Sequence, residues 1–195
     1  IGLSVDAPVG DMIIDIGGGT TEIAVIALSG IVQEESIRIA GDELNNSIMQ
    51  HFKKSHNLLI GERTSEIIKC EVGSAVPLKQ ELVVRVKGRD LIGGLPTTVE
   101  ASSVEIREAL EEPINAIVEA VKTTLERTPP ELAADILDRG IMLTGGGALL
   151  KGLNARIRKE TNLPVHVAED PLTAVVRGTG AIMENLHQYS EVIMK

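Results

Sequence analysis

Aromatic residues and cysteine are both scarce in this sequence. Aromatic side chains make up 1% of its 195 residues, with one Phe, one Tyr and no Trp, so the core has to be aliphatic. The chain cannot supply the rings on which nucleic-acid-binding proteins stack bases. The single cysteine, Cys70, excludes an intrachain disulfide and a cysteine-ligated metal cluster. Its apolar neighbours predict a small buried residue on a helix rather than a reactive thiol.

Positive charge and long apolar runs are also lacking. With 28 acidic and 19 basic residues the net charge is -9, which argues against a surface that binds nucleic acid non-specifically. No apolar run reaches the length of a membrane span, and no signal peptide precedes the first predicted strand. Hydrophobic residues make up 43% of the chain, enough for a sizeable globular core. The first residue is Ile1, as expected of a processed protein or a fragment.

Histidines with partners at the spacing of metal ligands are missing as well. His51, His56, His166 and His187 have no cysteine or carboxylate near them in the pattern that metal sites use. The sequence therefore predicts that no metal is bound by histidine and that all four histidines lie at the surface.

Two glycine triplets, each directly after a short apolar run, are the strongest pattern present. The first lies in DIGGGTTE (residues 15–22) and the second in LTGGGALL (residues 143–150). Such glycines let backbone N–H groups turn toward a phosphate or ribose, although they equally suit a plain tight turn. Asp15, Thr20 and Thr21 favour the phosphate interpretation at the first triplet, because a carboxylate beside a phosphate loop suits a hydrated divalent cation.

The opening forty residues read as a three-stranded antiparallel meander. Apolar runs at residues 12–16, 23–28 and 31–40 are separated by turn residues. The first triplet falls in the turn between the first two strands. Walker and Rossmann loops differ from it, because their glycines lead from a strand into a helix.

The middle of the chain reads as an inserted α+β unit spanning about residues 41–101. Asp42 stands at the natural N-cap of a helix, and a second helix covers about residues 62–74. Alternating apolar residues predict strands at 81–87 and 97–101, joined by a glycine-rich turn.

The last part alternates between helices and strands. Ser102 and Glu105 form a capping-box pattern at the start of a helix, which Pro113 is expected to kink or restart. The elements predicted after it are a helix over 130–140, a strand over 141–144, a helix over 149–160, a strand over 165–168 and a last helix capped by Asp170 and Pro171. With the opening meander, this order predicts an α/β, ribonuclease-H-like layer with an inserted α+β subdomain.

These motifs resemble the actin-like ATPase superfamily and, within it, the MreB family of bacterial cell-shape proteins. DIGGGTTE is similar to the second phosphate motif of the superfamily and LTGGGALL to its adenosine motif, which the Hsp70 and FtsA relatives share. The narrower match lies in IRIAGDELN (37–45), IGERTSEIIK (60–69), TPPELAADILDRGI (128–141) and EDPLTAVVRGTG (169–180).

The resemblance covers only the second of two lobes. It implies a basal subdomain built from residues 1–40 and 102–195 and an upper subdomain built from residues 41–101. The first lobe, with the other phosphate loop and the acidic residue that positions the attacking water, has no counterpart in this sequence. The resemblance therefore implies ATP binding with no catalytic residue in this chain.

The resemblance also implies which residues bind ATP and Mg²⁺. Asp15 would hold Mg²⁺ through water. The residues it assigns to the nucleotide are Asp15, Gly17, Gly18, Gly19, Thr20, Thr21, Asp42, Glu66, Ile67, Ile68, Lys69, Gly146, Gly147, Ala148 and Leu149. From spacing alone, Glu66 and Lys69 fit an ordinary solvated ion pair equally well, and Asp42 fits a plain helix cap.

The function implied is that of an ATP-binding half of a cytoplasmic filament protein, at the inner face of the membrane, that governs rod shape and cell-wall elongation. The implied partners are further copies of itself, a RodZ-type membrane adaptor and the elongation machinery, with no nucleic acid. Membrane association would be indirect or through the absent lobe. Two alternatives are a non-catalytic interaction module of the same fold and a lobe of an FtsA or Hsp70 branch ATPase.

Overall fold

The computed structural model describes residues 1–3 and 7–184, so the expectation for His187 lies outside the described residues. The strands are β1 (Asp11–Ile16), β2 (Thr21–Ala27), β3 (Gly30–Ile37), β4 (Leu58–Leu59), β5 (Val83–Asp90), β6 (Pro96–Ser102), β7 (Ile141–Thr144) and β8 (Val165–Val167). The helices are α1 (Gly41–Ser55), α2 (Glu62–Val72), α3 (Ser103–Ala109), α4 (Glu111–Arg127), α5 (Pro130–Arg139), α6 (Leu153–Thr161) and α7 (Ala174–Glu184).

The larger sheet joins the opening meander to two later strands. Its order is β3-β2-β1-β7-β8, with β1 antiparallel to β2 and parallel to β7. The meander is confirmed, and so is the α/β class with a separate small sheet, β4-β5-β6. β1 is central and no residue of it is fully exposed, which explains why its sequence is an almost continuous apolar run.

The helices cover the sheet with aliphatic stripes. α4 packs on β2 and β3, and α5 packs on β1. The buried residues of α4 include Ile114, Ile117, Val118 and Val121, which recur at helical spacing. Pro113 restarts the helix as predicted, because α3 ends at Ala109 and Pro113 stands in the first turn of α4, where its missing N–H costs nothing. Within the described residues, no helix is both long and apolar enough to cross a bilayer.

Four helix ends differ from the predictions. α1 has Ala40 as its N-cap residue, so Asp42 lies inside the first turn and is not the cap. α2 ends at Val72 rather than Ser74. α6 begins at Leu153 rather than at residue 149, because Gly146–Leu149 forms a 3₁₀ turn that breaks before the helix. α7 begins at Ala174, three residues after Pro171.

The capping box at α3 forms only in part, and the expectation that His51 and His56 have no carboxylate partner is wrong. The Glu105 N–H donates to Ser102 Oγ at 3.2 Å, as a cap requires. The Glu105 carboxylate instead contacts the side chains of His51 and His56, for which we expected no carboxylate partner. His166 is exposed on β8, as expected.

Cys70 is exposed on α2, contrary to the prediction that it is buried. Partial burial and then the neighbouring Glu66 carboxylate raise the pKa of the thiol. A raised pKa disfavours the thiolate, which is the reactive form of cysteine.

An ion pair joins the segment just before β5 to α3. Arg107 Nη2 donates to Glu81 Oε1 at 2.8 Å and Nη1 donates to the carbonyl oxygen of Val76 at 3.1 Å. Ser103 Oγ donates to the other carboxylate oxygen of Glu81. These hydrogen bonds, from Arg107 first and Ser103 second, lower the pKa of Glu81 to about 2.

We expect Glu81→Gln to lower the melting temperature at pH 7 more than at pH 2. A carboxyl with a depressed folded-state pKa stabilises the fold above its ordinary value of 4.5, and that stability is lost as the pH falls toward about 2. Thermal melts from pH 7 to pH 2 measure the difference. Glu100→Gln is the matched control, because Glu100 pairs with Arg85 on the exposed surface and should change little. A deficit of Glu81→Gln that stays constant across this range would contradict the prediction.

Candidate functional site

The two glycine triplets lie side by side, although more than a hundred residues separate them in the sequence. β1 and β7 are parallel neighbours, with Asp15 opposite Thr144. Both strands end at the same edge of the sheet, and each triplet directly follows its strand. The parallel pairing therefore places both glycine turns at one end of the sheet, where open α/β sheets bind ligands.

The first triplet forms a tight turn whose tip is exposed. The Gly17 N–H donates to the carbonyl oxygen of Thr20 at 3.0 Å, which closes the turn. Gly18, Gly19 and Thr20 are exposed, so their backbone is open to a ligand. Thr21 is fully buried and its hydroxyl donates to the Ile39 carbonyl oxygen at 2.7 Å, so it supports the turn from beneath.

The start of α1 is bonded to this turn. The N–H groups of Gly41 and Asp42 donate to the carbonyl oxygens of Gly17 and Gly18, at 3.1 and 2.8 Å. The exposed Asp42 carboxylate lies so close that a Cβ on Gly18 would be 3.8 Å from its Oδ1. Asp42 therefore stands beside the phosphate-type turn with its carboxylate available, a position that the helix-cap interpretation did not provide.

Glu66 and Lys69 form an ion pair within a hydrogen-bonded network, in which the Lys69 side chain is largely buried and the Glu66 side chain is 50% exposed. Lys69 Nζ donates to Glu66 Oε2 at 2.8 Å and to the Gly41 carbonyl oxygen at 3.0 Å, and its side chain is only 13% exposed. Asn45 Nδ2 also donates to Glu66 Oε2, at 2.8 Å. Burial alone would raise the pKa of Glu66, but the hydrogen bonds from Lys69, Asn45 and Cys70 outweigh it and lower that pKa. The network clamps α2 against α1 beside the first triplet.

The structure corrects one of the predicted site residues, Ile68, and adds another, Asn45. Ile68 is 1% exposed and belongs to the core, so its side chain offers no surface to a ligand, whereas Ile67 is half-exposed. Asn45 was missed. Its position three residues after Asp42, on the same side of α1, is the signal that could have indicated it.

The second triplet is pressed against the end of β1. Gly145 has a φ of +79°, and a Cβ there would be 2.4 Å from Asp15 Oδ1 and from the Ile16 carbonyl oxygen. A Cβ on Gly147 would be 2.2 Å from Ile16 Cγ2. These two glycines are needed for close packing between the turns, and the sequence-based site assigned no role to Gly145.

The remaining residues of the second turn divide between surface and core. Gly146 and Leu149 are exposed, Leu149 to 56%, so both can face a ligand. Ala148 is buried and supports the 3₁₀ turn from within. The Gly145 N–H donates to the Pro171 carbonyl oxygen at 3.0 Å, which holds the turn from its other side.

α2 is hydrogen-bonded to the segments that adjoin the two glycine turns. Lys151 Nζ, just after the second turn, donates to the carbonyl oxygens of Cys70 and Glu71 at 2.6 and 2.9 Å. The Ala75 N–H donates back to the Lys151 carbonyl oxygen at 2.8 Å. Because Lys69 holds the same helix to Gly41 of α1, which is itself hydrogen-bonded to the first turn, α2 lies beside both turns at one end of the sheet.

The Asp15 carboxyl lies in surroundings that disfavour its negative charge. Burial raises the pKa of its carboxyl, and Glu22, directly opposite in the β1–β2 pairing, raises it further. A nearby cation would relieve both effects. The site thus combines a carboxylate that favours a cation with open backbone donors that favour an anion, the donor set that suits a Mg²⁺-phosphate ligand.

A mixed sheet with glycine turns at one edge and a small antiparallel sheet inserted between its parts defines a lobe of the actin-like ATPase fold. The crystal structure of MreB5 of Spiroplasma citri bound to AMPPNP superimposes with a TM-score of 0.93 at 37% identity, covering 97% of this chain and 57% of that chain. The cryo-EM structure of the MamK filament gives a TM-score of 0.76 at 23% identity and shows the shared fold alone.

The family follows from the sequence comparisons. The family model described as MreB/Mbl protein matches residues 1–191, and the chain belongs to this family. It is 48% identical over 185 residues to the cell shape-determining protein Mbl of Bacillus subtilis strain 168, covering 95% of this chain and 56% of Mbl. It is 49% identical over 188 residues to the cell shape-determining protein MreB of Escherichia coli K12, covering 96% of this chain and 54% of MreB.

These comparisons confirm the resemblance to MreB and favour that family over the Hsp70 and FtsA branches. The chain spans about half the length of the curated relatives it matches.

Proposed function

We propose that this chain is the ATP-binding half of a filament protein that governs cell shape and cell-wall elongation. The observation that carries the proposal is the placement of the exposed turn of Gly18 to Thr20, the second glycine turn and the Glu66–Lys69 network beside one another at one end of the sheet. The names of the relatives support the cellular role. The similar MreB5 structures bound to AMPPNP and to ADP support the nucleotide.

In this proposal the two turns and the Glu66–Lys69 network each contact a different part of ATP. The backbone donors of Gly18, Gly19 and Thr20 bind the terminal phosphates, and Asp15 holds Mg²⁺ through water. Glu66 and Lys69 lie on the nucleoside side, and Gly146 and Leu149 lie opposite them. Buried or partly buried residues support these positions from below: Gly17, Thr21, Ile68, Gly147 and Ala148. Residues 1–40 and 102–195 form the basal subdomain and residues 41–101 the upper one.

We expect this chain to bind ATP without hydrolysing it. Fixed donors and Mg²⁺ stabilise charge on a phosphate, but turnover also needs a group that positions the attacking water. We assign that group, and the other half of the phosphate site, to the partner lobe of an actin-like protomer. ATP bridging two lobes would couple their closure to filament assembly.

The proposed partners are further copies of the protein, a RodZ-type membrane adaptor and the elongation machinery. This places the protein in the cytoplasm at the inner face of the membrane. Exposed apolar side chains near the second turn support a protein contact there. They include Leu172, Val175 and Val176, each more than 60% exposed.

Calorimetric titration of the 195-residue chain with ATP and Mg²⁺ tests the nucleotide site. Micromolar affinity that depends on Mg²⁺, with no phosphate release, is the expected result. The absence of heat together with binding to an adaptor or to further copies would overturn the nucleotide proposal and favour the interaction module. Sustained phosphate release would contradict the expectation that hydrolysis needs the partner lobe.

Asp15→Asn should separate nucleotide affinity from stability. We expect the affinity for ATP in the presence of Mg²⁺ to fall about tenfold, which corresponds to about 1.4 kcal/mol. The affinity for ATP in EDTA should be unchanged. The melting temperature of the nucleotide-free chain should rise slightly, because the variant removes a charge that burial and Glu22 both disfavour.

Glu22→Gln is the matched control for Asp15→Asn. Glu22 lies opposite Asp15 in the strand pairing and is exposed, so its neutralisation relieves the same repulsion without removing the Mg²⁺ ligand. Both variants should raise the melting temperature. If Glu22→Gln lost as much Mg²⁺-dependent affinity as Asp15→Asn, the role given to Asp15 would be wrong.

A further inference from the structure

We propose that His51, His56 and Glu105 form a binding site for a divalent transition metal of the Zn²⁺ type. Both histidine Nε2 atoms converge on the same carboxylate oxygen, Oε1 of Glu105. The His51 contact is 2.6 Å long, and the three possible ligand atoms all lie within 4.8 Å of one another. This cluster contains none of the residues of the proposed nucleotide site.

The end of α1 brings the two histidines together. His51 lies in the last part of the helix, and His56 is the residue at which the helix stops. In an uninterrupted helix, residues five apart do not share a face. Here His56 has a φ of -118° and a ψ of -1°, and Asn57 follows with a φ of +50°, so the chain leaves the helix at this point. The irregular helix end places the His56 ring beside His51.

Phe52, the only phenylalanine in the chain, holds both imidazole rings in place. Its ring is fully buried, meets the His51 ring edge to face with centroids 6.0 Å apart, and lies 5.3 Å from the His56 ring. Rings fixed by a core side chain lose little freedom when they bind a metal, and such preorganisation raises affinity.

Glu105 is oriented toward the histidines rather than toward its own helix. A capping-box glutamate would reach back to the backbone N–H of Ser102, but this carboxylate contacts His51 and His56 instead. The carboxylate thus faces both imidazole rings, in the position that a third metal ligand would take.

The donor set selects the kind of metal. Two imidazole nitrogens and one carboxylate oxygen suit Zn²⁺ and similar ions, whereas Mg²⁺ and Ca²⁺ prefer oxygen ligands alone. The three side chains are 19–24% exposed, so solvent reaches the cluster and a water can complete a four-coordinate site.

A metal at this position would fasten two distant parts of the chain. His51 and His56 lie before the small sheet in the sequence, and Glu105 lies just after it, on α3. The ion would thus link the two ends of the segment that carries β4, β5 and β6. We expect zinc to stabilise this junction and to raise the melting temperature, since a ligand that binds only the folded state stabilises it.

Competition with a chromophoric zinc chelator tests the site in the full 195-residue chain after metal removal. We expect one tightly bound Zn²⁺ per chain that saturating Mg²⁺ does not displace. His56→Ala and Glu105→Gln should each weaken zinc binding about 100-fold and abolish its effect on the melting temperature. His166→Ala is the matched control, because His166 is exposed on β8 and should leave zinc binding unchanged.

A cobalt spectrum provides a second, independent measurement. Co²⁺ in place of Zn²⁺ should give visible absorption bands of a protein-bound ion in the parent chain and in His166→Ala, and none in His56→Ala. Circular dichroism confirms that each variant is folded before it is compared. Equal zinc affinity and equal cobalt spectra in the parent chain and His56→Ala would overturn the proposal and leave a hydrogen-bonded cluster only.

Discussion

Gly145→Ala is expected to unfold the chain or to leave it only marginally stable. Gly145 has a φ of +79°, and an added Cβ would be 2.4 Å from Asp15 Oδ1 and from the Ile16 carbonyl oxygen. Left-handed backbone strain costs roughly 1–3 kcal/mol, and overpacking against a rigid strand costs about as much again. Together they remove a large share of the roughly 5–15 kcal/mol that stabilises a typical domain.

Urea unfolding followed by far-ultraviolet circular dichroism measures this loss. Gly18→Ala is the matched control in the first triplet, because its Cβ would be 3.8 Å from the nearest atom, Asp42 Oδ1, and its φ is not in the left-handed region. We expect Gly18→Ala to shift the free energy of unfolding by about 1 kcal/mol or less. If both variants unfolded at the same urea concentration, the contact between the two turns would not have the stabilising role given to it.

The order of the elements could be predicted because its signals are local. The run over residues 12–16, the glycine turns and the restart at Pro113 each depend on a few neighbouring residues, and all three are confirmed. The start of α6 could not be predicted in the same way. Gly152, the residue before this helix, has a φ of +75°, and a Cβ there would be 2.4 Å from Val76 Cγ2, so the turn that precedes the helix packs against a distant residue.

The candidate site could be predicted only in part, because its assembly depends on long-range contacts. The parallel pairing of β1 with β7 joins the triplets. The resemblance implied that both triplets contact one nucleotide, but no local pattern indicates which strands pair. The spacing of Glu66 and Lys69 fits a solvated pair, and only the Gly41 carbonyl oxygen and Asn45 make it a fixed network.

The histidine cluster was missed for the same reason. Glu105 lies 54 residues from His51 in the sequence, far outside the spacing of familiar metal motifs. Its role in the capping-box pattern also offered a sufficient local explanation for the carboxylate. Because the capping box already accounts for a glutamate at this position, the sequence does not indicate that Glu105 also contacts the two histidines.

Phe52→Ala is expected to cost about 3–5 kcal/mol, because Phe52 is fully buried in a core that otherwise contains aliphatic side chains. Its removal leaves a cavity beneath α1 and takes away the support of both imidazole rings. Chemical denaturation should show a large fall in the unfolding midpoint. Phe52→Leu keeps most of the volume and should cost less than about 1.5 kcal/mol.

Phe52→Leu also distinguishes packing from preorganisation at the proposed metal site. The variant keeps all three ligands and remains folded, yet it removes the ring that orients His51 and His56. We therefore expect its zinc affinity to fall about tenfold while its stability stays near that of the parent chain. If zinc affinity were unchanged in Phe52→Leu, Phe52 would contribute to the core alone. The convergence of the histidines would then depend on the irregular end of α1.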